Sequence, residues 1–107
     1  MDRRVIAELA IIPIGTSDVG LSHHVAACID VLDSRQDLSY QLTAMGTIIE
    51  GPLDKVLEIV HQMHEVPFSR GVSRVVTTLK IDDRRDKPAT MANKVESVVK
   101  LHMSGKV

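Results

Sequence analysis

Residues able to do chemistry are few in this chain, and they fall in separate stretches. Ile14-Gly15-Thr16-Ser17 and Met45-Gly46-Thr47 combine glycines with hydroxyls. Glycine lets a ligand approach the backbone closely. Thr16, Ser17 and Thr47 supply hydroxyls, and Met45 is a polarizable apolar plate suited to a flat heteroaromatic ring. The same residues also read as structure alone: Gly15 and Gly46 in turns, Ser17 or Asp18 as a helix N-cap, Met45 in the core. His61 and His64, three apart on a helix, can approach one metal ion. No cysteine or carboxylate motif completes that set, and His23-His24, being adjacent, face different directions. No metal is therefore expected, and His64 reads as a buried, hydrogen-bonded side chain or as a ligand hydrogen bond. Asp82-Asp83-Arg84-Arg85-Asp86 mixes both signs of charge, which makes a self-paired turn or a salt-bridge cluster between subunits. Glu50 ends an apolar run, either as an edge charge or as a partner for a cation or amidine. Cys28 lies on a helix's apolar stripe and reads as packing. Nucleophile-elbow, P-loop and dinucleotide patterns do not occur, so neither a catalytic residue nor a cofactor is expected.

These residues need elements to hold them. Val5 to Ile14 is rich in β-branched residues and ends at Pro13 and Gly15, a strand. Thr16-Ser17-Asp18 offers N-cap chemistry for a helix whose stripe is Leu21, Val25, Cys28, Ile29 and Leu32. Tyr40–Ala44 and Thr47–Glu50 read as strands joined by a hairpin, with Gly46 free to take positive φ. Gly51-Pro52 opens a second helix with the stripe Leu53, Val56, Leu57, Val60 and His64, ended by Pro67. Val72 to Ile81 is a fourth strand. Pro88 opens a last helix carrying Met91, Val95, Val98 and His102, which Asp86 could cap. The order β-α-β-β-α-β-α gives a ferredoxin-like α/β sandwich, an α+β fold, with an extra C-terminal helix. Its four-stranded antiparallel sheet is expected in the order 4-1-3-2. In that arrangement the end of the first strand lies beside Met45-Gly46-Thr47. Arg74 and His64 fall at the same end, and the first helix's free N–H groups form an anion site there.

The first strand is apolar on both sides. Val5, Ala7, Leu9 and Ile11 point one way, and Ile6, Ala10, Ile12 and Ile14 the other, with Glu8 the only charge among them. A strand with one wet face should alternate. The second face is therefore expected to be buried against another subunit, with Val76 and Thr78 extending it and Arg74 and Lys80 at its rim. The alternative is that the last helix folds over the sheet.

Composition excludes several classes. The 107 residues suit one domain, 1–107. Lys+Arg of 13 against Asp+Glu of 14 leaves a formal charge of −1, unlike the basic excess of a nucleic-acid binder. Tyr40 and Phe68 are the only aromatics, so the core must be aliphatic and base-stacking platforms are missing. A single cysteine permits no internal disulfide, which fits a reducing compartment, and the absence of a long apolar run argues against a membrane span. The expected location is the cytoplasm.

Three segments together have a wider parallel. Ile12-Pro13-Ile14-Gly15-Thr16-Ser17, Met45-Gly46-Thr47-Ile48-Ile49-Glu50-Gly51, and Arg74-Val75-Val76-Thr77 followed by Lys80-Ile81-Asp82-Asp83-Arg84-Arg85-Asp86 resemble the small thiamine-binding protein family. Those proteins were formerly catalogued as an uncharacterised protein family. The resemblance runs from about Val5 to Val99. It implies a ferredoxin-like fold, homotetramers built as dimers of dimers through the sheets, and cytoplasmic binding of thiamine or a related pyrimidine without known catalysis. Under it, Thr16, Ser17 and Thr47 read the aminopyrimidine and Met45 covers a ring. Glu50 or Asp82 answers the thiazolium charge when a neighbouring subunit brings it near. The expected ligand-binding residues are Gly15, Thr16, Ser17, Met45, Gly46, Thr47, Glu50, His64, Arg74 and Asp82. A non-enzymatic carrier or sensor is the first reading. An oligomeric interaction protein without a small ligand, and a thiamine-salvage enzyme using His64 or Glu50, are the alternatives.

Overall fold

The computed structural model describes residues 4–16, 21–87 and 90–104. Its elements are β1 (Arg4–Ile14), α1 (Ser22–Asp33), β2 (Ser39–Leu42), β3 (Thr47–Pro52), α2 (Leu53–Ser69), β4 (Arg74–Asp82) and α3 (Met91–Ser104). The sheet runs β2-β3-β1-β4 with every pair antiparallel, the order expected from the sequence. α1 and α2 cover one face. The core there joins Val5, Ala7, Leu9 and Ile49 of the sheet to Cys28 and Leu32 of α1 and Val56, Ile59 and Met63 of α2. Its buried residues are all aliphatic or sulfur-bearing, and Tyr40 packs against them from the edge.

The register of β1 decides where everything else lies. Its first half is flanked on both sides, pairing with β3 from Arg4↔Pro52 to Leu9↔Thr47. Its second half pairs only with β4, as far as Ile14↔Arg74. Thr47 is therefore level with Leu9 and not with Ile14. At about 3.4 Å per residue, Gly15 begins roughly 20 Å beyond Leu9 along β1. The expected juxtaposition of Gly15-Thr16 with Met45-Gly46-Thr47 is not formed, because β1 is much longer than β3.

Several local expectations also change. α1 begins at Ser22, with Leu21 at the N-cap and no side-chain cap, so Thr16 does not start it; Ser17 and Asp18 lie outside the described residues. Gly46 does not use positive φ; among the described residues only Gly15 and Gly71 do. Glycine stands at 46 for a different reason: a Cβ there would lie 2.8 Å from the Leu9 carbonyl oxygen. The hairpin turn is held by Thr43 instead. Its Oγ1 accepts from the N–H groups of Met45 (3.3 Å) and Gly46 (3.1 Å) and donates to the Gly46 carbonyl (2.9 Å). The inward stripe of α2 is Val56, Ile59, Met63 and Pro67, while Leu57 is 46% exposed. Thr90 rather than Asp86 caps α3, its Oγ1 accepting the Asn93 N–H at 3.0 Å. Pro88 lies outside the described residues.

Pro67 does not end α2; the helix runs on to Ser69. Proline has no N–H to give the carbonyl four residues back, which here is that of Met63. Cys28 of α1 supplies the missing donor, its Sγ reaching the Met63 carbonyl at 3.6 Å. This contact joins the two helices through a backbone group that the proline leaves without its helical partner. Burial raises the Cys28 thiol above its ordinary pKa, opposed by the charge of Arg70, so the group stays a protonated donor at neutral pH.

The second sheet face is bare. Ile12, Ile14 and Val76 on it are 42%, 37% and 43% exposed. α3 does not fold over it: none of its described residues is buried, and Val95, Val98, Val99 and Leu101 are all at least half exposed. Lys94 ties α3 to the end of β4 by an ion pair with Asp82 at 2.6 Å.

Candidate functional site

Two cavities replace the single niche expected from the sequence, and they differ in character. The larger, about 720 Å³, lies between α1, β1 and the β2–β3 hairpin. Leu9, Ile11, Leu21, Val25, Ile29, Leu42 and Met63 give it apolar walls, and Met45, Gly46 and Thr47 line it as well. α1 borders it because its stripe of Leu21, Val25, Cys28 and Ile29 faces the sheet at helical spacing. Thr47 is 5% exposed, and its side chain shares the helix-covered face with Leu9. Met45 stands at the hairpin tip, 86% exposed, which corrects the reading of it as a core residue. Asp30 is the one carboxylate among the described residues of the lining.

The smaller cavity, about 450 Å³, lies at the far end of β1. Gly15, Thr16, His23, His24, Arg70, Gly71, Val72 and Ser73 line it. Gly15 turns the chain out of β1 at φ 77°, a conformation that costs glycine nothing. Arg70 follows the last turn of α2 as its C-cap residue. His24 borders both cavities. Its Nδ1 is buried and has no hydrogen-bond partner among the described residues.

The other expected site residues lie elsewhere. Glu50 is only 8% exposed, on the bare face, where Arg4 holds it through an ion pair at 3.8 Å. Asp82 is on that same face, level with Ile6 and paired with Lys94. Arg74 begins β4 opposite Ile14, again on the bare face. His64 is half-buried; its Nδ1 is 2.6 Å from Thr77 Oγ1, and its ring packs 5.5 Å from that of Phe68. None of these four borders either cavity. The acidic-basic run pairs with itself, Arg84 with Asp86 at 2.7 Å and Arg85 with Asp83 at 2.9 Å. The Arg84 bond holds the Asp86 carboxyl well below its usual range, at about 2. His61 pairs with Glu65 at 3.9 Å, and among the described residues no group of His, Cys, Asp or Glu is arranged to hold a metal ion.

Sequence reasoning missed His24, Asp30, Thr43 and Arg70 as cavity or turn residues. His24 had a usable signal, since it stands one helical turn before Cys28 and three residues after Leu21, on the inward side of α1. Arg70 had none, because only the fold brings the end of α2 beside α1.

A family model described as thiamine-binding protein matches residues 7–99. The chain is 45% identical over 98 residues to the UPF0045 protein YqgV of Bacillus subtilis, covering 89% of this chain and 94% of that one. It is 44% identical over 95 residues to a UPF0045 protein of Methanothermobacter thermautotrophicus, covering 88% and 95%. Its fold is similar to the crystal structure of the hypothetical protein MJ1052 of Methanocaldococcus jannaschii, with TM-score 0.81, 38% identity, and 90% and 96% of the two chains covered. Among the described residues no helix is long and apolar enough to cross a membrane.

Proposed function

The chain belongs to the thiamine-binding protein family, and from that premise we propose that it is a non-enzymatic, cytoplasmic binding protein for thiamine or a related pyrimidine. The observation that carries this reading is the apolar cavity of about 720 Å³ between α1 and the hairpin. A volume of that order suits a small organic ligand, and mostly apolar walls with a few polar groups are the usual composition of such a site. The Thr47 hydroxyl serves as a hydrogen-bonding group for a ring edge. Met45 covers a ring face with a polarizable sulfur. Asp30 answers a cationic ring. Neither Tyr40 nor Phe68 lines the cavity, so aliphatic and thioether contact takes the place of stacking on a large ring.

A binding role, as carrier or sensor, fits better than catalysis. The two residues that the sequence offers as acid or base are engaged away from the cavity, His64 with Thr77 and Glu50 with Arg4. The bare sheet face supports assembly of copies through it, into a tetramer built as a dimer of dimers. Its exposed Ile12, Ile14 and Val76 form the apolar centre of such an interface, and the Glu8–Lys80 pair at 3.8 Å gives a charged border.

Isothermal titration tests the ligand. Saturable heat is expected with thiamine or with its hydroxymethylpyrimidine precursor. Thr47→Val should weaken that binding by up to about tenfold, the worth of one neutral hydrogen bond. No heat with either compound would remove the reading.

A further inference from the structure

The polar cavity differs from the apolar one in its chemistry. Among its eight described lining residues are one arginine, two histidines and two hydroxyl side chains, and no carboxylate. A concave surface with donors and no acid repels cations and favours an anion. Arg70 forms no ion pair among the described residues, although the five other described arginines are engaged or stand on the bare face. It lines the cavity together with His23 and His24 of α1. His24 borders both spaces, and its buried Nδ1 lacks a partner among the described residues. A buried polar atom left unpaired is costly, and a ligand atom arriving there removes that cost.

We propose that the polar cavity receives a phosphate ester carried by the same ligand whose ring occupies the apolar cavity, with Arg70, His23 and Ser73 around the phosphate and His24 at the passage between. This rests on the ring-binding reading above and deepens it: the preferred ligand is a phosphorylated heteroaromatic compound rather than the free alcohol. The pairing is economical in contacts. The ring end is recognised by shape and apolar surface, the ester end by charge-assisted hydrogen bonds, which are roughly twice as strong as neutral ones.

Calorimetry on the intact chain with thiamine and with thiamine monophosphate, at matched ionic strength, decides the matter. The monophosphate should bind about tenfold more tightly or better. Arg70→Ala should bring that ratio close to one, and Arg70→Lys should retain part of it, since lysine keeps the charge without the planar fork. Thermal melting of both variants establishes that they are folded; Arg70 is exposed, so little change is expected. Inorganic phosphate, added against an equal ionic strength of chloride, should weaken binding of the monophosphate and not of thiamine. Equal affinities for the two compounds, or a preference that survives Arg70→Ala, would overturn the proposal while leaving ring binding intact. Equal weakening of both compounds by inorganic phosphate would also overturn it. Failure of both compounds to bind would remove the ring reading and this one together.

Discussion

The two faces of β1 are built from the same residue types and meet opposite fates. Leu9 is 2% exposed on the face that α1 and α2 cover, whereas Ile12 is 42% exposed on the other. Nothing in the side chains accounts for the contrast, since alternation along the strand simply sends neighbours to opposite sides. The difference lies in what each crossover delivers. The two helices that each link one strand to another pack on one side, whereas α3, tied to the end of β4 by the Lys94–Asp82 pair, has no buried residue among those described and does not fold over the second side. Apolar residues without a partner inside the chain mark an interaction surface, and the proposed assembly of copies uses this one.

The contrast can be broken most directly by substituting one residue on each face. Leu9→Ala should lower the unfolding free energy by about 2–5 kcal/mol in urea titration, the usual cost of emptying a core site. Ile12→Glu should leave the circular dichroism spectrum native and instead lower the mass measured by sedimentation. A wild-type chain that sediments as single copies at micromolar concentration would refute the assembly, and a global unfolding by Ile12→Glu would erase the distinction between the faces.

A smaller effect sharpens the account of the covered side. Cys28→Ala should cost about 1–2 kcal/mol, from lost packing and the unpaired Met63 carbonyl. In a Pro67→Ala background residue 67 regains an N–H for that carbonyl, so the cost of Cys28→Ala should shrink by about 0.5–1.5 kcal/mol. Strict additivity in this cycle would mean that the thiol contact carries no energy of its own. The smallest effect belongs to the exposed turn after β4. Asp86 titrates at about 2 because Arg84 bonds it. A carboxyl whose folded pKa is lowered adds stability above its ordinary value, and loses it as the pH falls towards the folded one. NMR titration should therefore find the Asp86 midpoint near 2, returning to the ordinary carboxylate range in Arg84→Ala. Because the pair is exposed, the change in overall stability should be slight.

Much of the fold was legible in the sequence because hydrophobic period and turn chemistry are local. Val5 to Ile14 announces a strand, Leu21 to Leu32 a helix, and the two-sided apolar character of β1 announces a face in need of a partner. Errors gathered where a local signal competes with its surroundings. Pro67 looked like a terminator, yet at that point the helix needs one fewer N–H because Cys28 supplies a donor from outside. Gly46 looked like a positive-φ residue, and instead makes room for the Leu9 carbonyl. The expected α2 stripe shares Val56 with the buried one but takes Leu57, Val60 and His64 where the helix buries Ile59 and Met63.

What the sequence determined by itself, then, is the element order, the sheet order, an aliphatic core and the family of the chain. Each follows from periodicity, from the rules that connect strands and helices, or from motif identity, all of which are written along the backbone. What only the tertiary structure decided is where the chemistry lies. Strand register is a long-range quantity, set by how far β1 slides past β3, and that slide separates Gly15-Thr16 from Met45-Thr47. It splits one expected niche into an apolar and a polar cavity, places His24 and Arg70 beside them, and leaves Glu50, Arg74 and Asp82 on the opposite face of the sheet.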